Sequence, residues 1–341
     1  MTLILTIDDA RWHAHQRSVR DDIAGLVPVA KGNGYGFGLG RLATEARRLD
    51  VGSIAVGTAE EVPAVRAGGW NKDVVVLNPW RPGDSAATAL LGDPRVITTV
   101  SRLADLAELR GSAATARVLV EVETSMHRHG IGAAEISEVD PGPLTFEGWS
   151  VHLPASGSRA EAEGLAKAAV RHIGRSVWVS HLSIADYRKF RIHLGVRTRM
   201  RVGTRLWLGA PEALHTTATV LDVHPIKRGE RFGYHKTKAP ANGFLVIVSG
   251  GTAQGVALAA PVPQRSLRQR AATITQGLLN ASGRSLSPFT VAGRKRPFAE
   301  PPHMHASMIF VPGSLPPASV GDEVPVTVRM TTTTFDEVRF S

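Results

Sequence analysis

The chain has 341 residues, 43% of them hydrophobic, enough for one large α/β domain beside a smaller one. It contains no cysteine, which excludes disulfides, a thiol nucleophile and thiolate-bound metal and fits a reducing compartment. A formal charge of +10 raises nucleic-acid or polyanion binding, but the basic residues are scattered, and the densest group (Arg265, Arg268, Arg270, Arg284, Arg294, Lys295, Arg296) has only Phe289 and Phe298 near it and reads as a solvated face.

At the N-terminus, Leu3, Ile4, Leu5 and Ile7 precede Asp8 and Asp9 in a run too short for a signal peptide or a membrane span, so a cytoplasmic protein is expected. Leu26–Ala30 then reads as a strand buried on both faces that empties into KGNGYGFG at 31–38. Lys31 would emerge at the carboxyl end of that strand, where α/β proteins build their sites, as a carbonyl-binding amine. Gly32, Gly34, Gly36 and Gly38 let backbone approach a ligand closely, and Tyr35 offers a hydroxyl for a phosphate or carboxylate. The competing reading is a surface lysine opening a glycine-rich turn.

Further apolar runs follow at Ile54–Val56, Val74–Leu77, Val96–Val100, Val118–Val122, Phe146–His152, Val177–Leu182 and Met200–Leu208, separated by helix-like segments such as 59–69, 101–112 and 158–173. Strand and helix alternating eight times predicts an α/β fold with an N-terminal (β/α)8 TIM-type barrel over residues 9–213. An open doubly wound sheet is the competitor. Beyond Pro211 the runs become β-type, at 216–226, 242–251, 254–258, 305–312 and 322–330, which predicts a mainly β domain over 214–341 that residues 1–8 can join as a strand. The stretch 261–302, rich in Arg, Ser, Gly and Pro, reads as long loops.

A barrel places reactive groups at the carboxyl ends of its strands. Titratable and polar residues do gather there: Lys31, Glu121, Glu123 with Arg128 beyond, His152, His181, Ser183, and Arg201 with Gly203.

These segments resemble the alanine racemase family of pyridoxal-phosphate enzymes. KGNGYGFG is similar to the family's Lys-Ala-Asn-Ala-Tyr-Gly-His-Gly, 53–69 to its second βα unit, and ETSMHRHG (123–130) to Asp-Thr-Gly-Met-x-Arg-x-Gly. EGWSVHLPAS (147–156) resembles the segment with the ring-stacking histidine, SHLS (180–183) falls at Ala-Asn-Ser, and MRVGTRLWLG (200–209) is similar to Val-Arg-Pro-Gly-Ile-x-Leu-Tyr-Gly. The resemblance implies pyridoxal 5'-phosphate as cofactor and Lys31 as its Schiff-base lysine and one-face base. It implies Tyr35, His152, Ser183, Arg201, Gly203 and Thr204 as further cofactor contacts, Arg128 and Met304 near the substrate, and no metal. Arginine does not surrender its proton, so Arg201 at the pyridine nitrogen would weaken the electron sink and favour racemisation over transamination. Glu121 stands where many members have a lysine that steadies the arginine, and supplies the negative charge itself.

The β domain departs from the pattern. The family's catalytic tyrosine lies in Gly-Tyr-Ala-Asp-Gly, whereas Gly251–Gly255 here reads Gly-Thr-Ala-Gln-Gly, putting Thr252 at the second-base position. The family's Met-Asp becomes Met304-His305 and its late tyrosine Phe340, so Lys31, Thr252 and His305 form the expected catalytic set, with His303 and Tyr234 as substitutes. The resemblance implies a homodimer that racemises alanine or another small amino acid, D-alanine for the cell wall being the natural product, with no specific nucleic-acid partner. The alternatives are a degenerate cofactor-binding or regulatory homologue, and one-base chemistry on amino acids.

Overall fold

A computed structural model describes residues 2–113, 115–155, 157–258 and 285–341. They form two compact units, His13–Gly209 and Met1–Trp12 with Ala210–Ser341. Arg265, Arg268, Arg270 and Arg284 of the basic group, and 261–284 of the expected loop stretch, lie outside the described residues.

In chain order the strands begin with β1 (Leu3–Ile7), which belongs to the second unit. The barrel unit holds β2 (Leu26–Pro28), β3 (Ser53–Val56), β4 (Asp73–Val76), β5 (Val96–Val100), β6 (Arg117–Val122), β7 (Thr145–His152), β8 (Ser176–Ser180) and β9 (Thr198–Val202). These short runs are rich in Val and Ile and almost wholly buried, as parallel strands covered on both faces must be. They pair in parallel in the order β2-β9-β8-β7-β6-β5-β4-β3. A bridge between Val29 and Ala55 joins the two ends, with the Ala30 amide donating to the Ala55 carbonyl at 2.8 Å. The barrel that strand–helix alternation predicts is thereby closed.

Val27, Val29, Ala55, Val75, Ile97, Leu119 and Trp178 pack one core cluster of the barrel. At the amino ends of the strands, Arg117 pairs with Asp73 at 2.8 Å and Glu147 at 2.7 Å, and the Arg199 guanidinium lies 4.5 Å from the Trp178 ring centre. This face is tied by ion pairs and stacking, which leaves the opposite rim for chemistry.

One expected strand changes character. Met200–Leu208 is strand only to Val202; after Gly203 it becomes a short helix, Thr204–Leu208, whose Leu206 and Trp207 are buried. The Trp207 indole donates to the Val29 carbonyl at 2.8 Å. The apolar residues beyond Gly203 are thus core residues of a helix, which an unbroken apolar run cannot distinguish from strand.

The second unit is built on a sheet ordered β12-β11-β10-β1-β13, where β10 is Leu214–Ile226, β11 Gly243–Ser249, β12 Ala306–Pro312 and β13 Glu337–Phe340. Three expectations need correction here. Residues 254–258 form turn rather than strand, because the segment folds back on itself through the Val256 amide to the Gly251 carbonyl. In 322–330 only Glu323–Pro325 is strand, since Val326 leaves that edge to bridge Phe289. The described part of the loop stretch carries a hairpin, Leu286–Val291 against Arg294–Pro297, whose Phe289 and Val291 enter the unit's core. No helix among the described residues is long and apolar enough to cross a membrane.

Glu147 is an extra residue in the β6–β7 ladder, where the register shifts, and Gly148 beside it has φ 140° with the Ser176 carbonyl 2.0 Å from where a Cβ would sit. G148A should cost about 1–3 kcal/mol or more of barrel stability, read as a lowered midpoint of thermal unfolding.

Candidate active site

The loop after β2 places Lys31 at the carboxyl-end rim, and the sequence fixes that loop through backbone donors. Glu61, in the turn preceding the helix after β3, accepts from the Gly32 amide at 2.7 Å and from the Gly57 amide at 2.6 Å. One carboxylate thus clamps the loops that leave β2 and β3. Burial and the charges of Arg128 and Arg201 hold the Lys31 amine below its ordinary range, with Glu61 opposing them.

Tyr35 is buried with a left-handed backbone, φ 55°. Its hydroxyl bonds the Thr204 side chain, and burial pushes it up to about 12, so it stays protonated at neutral pH. A Cβ on Gly203 would lie 2.1 Å from that hydroxyl, which is why only glycine serves there. Tyr35, Gly203 and Thr204 are therefore brought together from opposite ends of the barrel unit's sequence.

Arg201 is buried on β9, donating to the Ser150 hydroxyl at 2.9 Å and the Val151 carbonyl at 3.3 Å, while its Nε has no partner. Burial lowers it to about 10, against the pull of Glu121, and it remains a cation at neutral pH. His152, at the end of β7, bonds the Ser180 hydroxyl through Nδ1 at 2.7 Å. Burial, then Arg201 and Arg128, push its imidazole down to about 2, so it is neutral. Its ring centre lies 5.1 Å from that of His181.

Glu121 is buried on β6, and burial raises its carboxyl while Arg201, Arg128 and Arg81 pull it back. Arg128 stands exposed in the loop beyond, without an ion pair among the described residues. The expected support of Arg128 by Glu121 is thus a through-space charge effect, felt more strongly by Arg201. Ser183 caps the helix Ile184–Leu194, accepting from the Asp186 amide at 3.0 Å and donating to its carboxylate at 2.7 Å. Its hydroxyl already has partners within the chain.

In the β unit, Thr252, Met304 and His305 are brought together by two laced segments. The Thr252 amide donates to the His303 carbonyl and the Ala253 amide to the Met304 carbonyl, both at 2.9 Å. His305 Nδ1 meets the Gln254 amide nitrogen at 3.3 Å, and Thr252 and Met304 are exposed. Beside them Glu300 holds His303 at 2.7 Å, and Tyr234 packs at a tilt against the His303 ring. Phe340 packs on Trp12 within the same unit.

The alanine racemase N-terminal domain matches residues 7–170 of this chain. An alanine racemase from Corynebacterium efficiens is 27% identical over 289 residues, covering 76% of this chain and 78% of that protein. A crystal structure of alanine racemase from Bartonella henselae with covalently bound pyridoxal phosphate superposes with a TM-score of 0.74 over the whole of both chains, at 17% identity. The chain is thus similar to alanine racemases along most of its length, and its residues 7–170 match their N-terminal domain. The alanine racemase of Mycobacterium bovis is 38% identical over 117 residues, 33% of this chain and 29% of that protein. The structure of the Streptomyces lavendulae racemase has a TM-score of 0.71 over 100% of this chain and 97% of its own, at 21% identity.

Against this family background, sequence reasoning missed Glu61. Its only trace in the sequence is an acidic pair, Glu60-Glu61, just after a strand, and nothing local shows that one of the two turns inward to bond two amides. E61Q removes a charge and leaves one amide facing an NH2 group. Labelling of Lys31 by an amine reagent in cofactor-free protein should then move to lower pH, because the one carboxylate that opposes the lowering of this amine is gone.

His152 supplies a second prediction. Because folding holds its imidazole below the ordinary 6.5, the unfolded chain takes up the proton first on acidification. This contribution is whole above about pH 6.5 and lost as pH falls. H152N should show a shallower acid decline in unfolding midpoint than the parent.

Proposed function

We propose that this chain is a pyridoxal-phosphate-dependent amino-acid racemase acting on alanine or another small amino acid. The observation that carries the reading is the juxtaposition, on one barrel rim, of a lysine of depressed basicity with the Tyr35–Gly203 cradle and the buried Arg201. These residues fit the cofactor: the partnerless Arg201 Nε is a buried donor awaiting an acceptor, and neutral His152 adds no charge beneath an aromatic ring.

Arg201 would hold the ring nitrogen, His152 the ring face, Tyr35, Ser183, Gly203 and Thr204 the phosphate, and Arg128 with Met304 the substrate carboxylate. When bound, pyridoxal phosphate supplies the electron sink that acidifies the α-proton of an amino acid. Lys31, whose hold on its proton is weakened by burial and nearby cations, takes or returns that proton on one face. Its neighbours Tyr35, held protonated, and Arg201, held cationic, do not compete as bases.

Thr252 and His305 are the β unit's contributions in this reading, which includes a homodimer working in the cytoplasm. A threonine hydroxyl is a poor base at neutral pH, and that one substitution favours the second reading, a cofactor-binding homologue that does not racemise.

Purified protein with pyridoxal phosphate should show a visible absorption band that borohydride removes and that K31A lacks. K31A should also lower racemisation of L- and D-alanine, followed by chiral chromatography, by a factor on the order of 10² to 10⁴. A band without racemisation would select the second reading; no band would overturn both.

A further inference from the structure

Racemisation by two bases needs an acid/base on each face of the α-carbon, and beside the cofactor contacts the barrel rim holds a histidine that they leave unused. His181 follows β8 directly and has a left-handed backbone, φ 63°, which costs a non-glycine residue energy and persists where the surrounding structure imposes it. That conformation sets its ring against His152, at 5.1 Å between centres. One ring nitrogen bonds Pro154, which offers only a carbonyl and so must be the acceptor. In the neutral imidazole the other nitrogen then carries a lone pair. The outer part of the residue stays exposed.

Strand order gives this ring its meaning. β9 lies between β2 and β8, so Lys31 and His181 rise on either side of Arg201 and Gly203. Two strand spacings separate them, about 10 Å at the backbone, wide enough to admit a planar ligand between the side chains. We propose that His181 is the second proton-transfer residue of this racemase, acting on the face of the α-carbon opposite Lys31. The assignment rests on the racemase reading and supplies from the barrel what Thr252 lacks.

In one direction His181 accepts the proton as the Cα–H bond breaks, and protonated Lys31 delivers its own proton to the other face; the reverse reaction exchanges the roles. The exposed edge of His181 lets the proton equilibrate with solvent between turnovers. Burial and the charges of Arg201, Lys31 and Arg128 favour its neutral form against the opposing Pro154 hydrogen bond, as a resting base requires, and neutral His152 adds no charge. His152 meets the Ser180 hydroxyl, which can donate or accept, whereas the carbonyl partner of His181 fixes its tautomer and leaves its second nitrogen as the acceptor; Tyr35 is bound to Thr204.

The test uses H181N, since asparagine tolerates left-handed backbone and carries no base. Holoenzyme is incubated with L- or D-alanine in D2O, and α-proton exchange and racemisation are followed separately by NMR and chiral chromatography. H181N should racemise on the order of 10² to 10⁴ times more slowly while one enantiomer still exchanges its α-proton with retention through Lys31, which also shows the variant to be folded. Imidazole should restore racemisation to H181G. In cofactor-free parent protein, diethyl pyrocarbonate should modify His181 ahead of His152, with the order read by mass spectrometry. Racemisation by H181N at the parent rate, or equal loss of both exchanges with a normal cofactor band, would overturn the assignment alone. Parent protein that exchanges neither enantiomer would overturn the racemase reading itself.

Discussion

Closure of the parallel ladder between β2 and β3 is the constraint on which the site depends. The Ala30 amide meets the Ala55 carbonyl one residue before Lys31 and two before Gly57, so the hydrogen bond that shuts the barrel also fixes the two loops that Glu61 clamps. In an open sheet those loops would lie at opposite edges and the Glu61 clamp could not form, whereas the approach of Tyr35 to Gly203 needs only the pairing of β2 with β9. Site and closure are one structural event.

The rim that results is rich in cations held close together. Lys31, Arg128 and Arg201 each act on the neighbouring titratable groups, and Glu121 and Glu61 are the carboxylates that oppose them. Burial governs every shift among these groups: it weakens the hold of Lys31 on its proton, keeps His152 neutral and drives Tyr35 upward. A surface cluster of the same composition would be screened by water and would titrate near ordinary values. Desolvation thus sorts basic and aromatic side chains into a lysine of lowered basicity, a fixed cation, a neutral ring and a protonated phenol.

The β unit carries less of this order. Thr252, Met304 and His305 are assembled by backbone hydrogen bonds between two loops, and their side chains face solvent rather than one another. The titratable pair that is organised there is Glu300 with His303, where a buried carboxylate orients a half-exposed ring. The contrast with the barrel rim is what makes a barrel-borne proton-transfer group physically economical.

Local pattern was enough to read most of this protein. Short Val- and Ile-rich runs alternating with amphipathic segments specify a parallel barrel, because only strands covered on both faces are apolar throughout. Glycines around Tyr35 and at Gly203 mark a close approach of backbone, and Lys31, His152 and Arg201 stand at strand ends by simple counting. What the sequence could not reveal depended on partners distant in the chain. The helix at Thr204–Leu208 exists because Trp207 reaches the Val29 carbonyl, Glu61 acts because two strand ends converge on it, and His181 is poised because Pro154 lies within reach of its ring. Sequence by itself determined which groups reach the rim; only the closed tertiary structure decided which of them are buried, neutral or clamped, because desolvation and hydrogen bonding belong to neighbours in space.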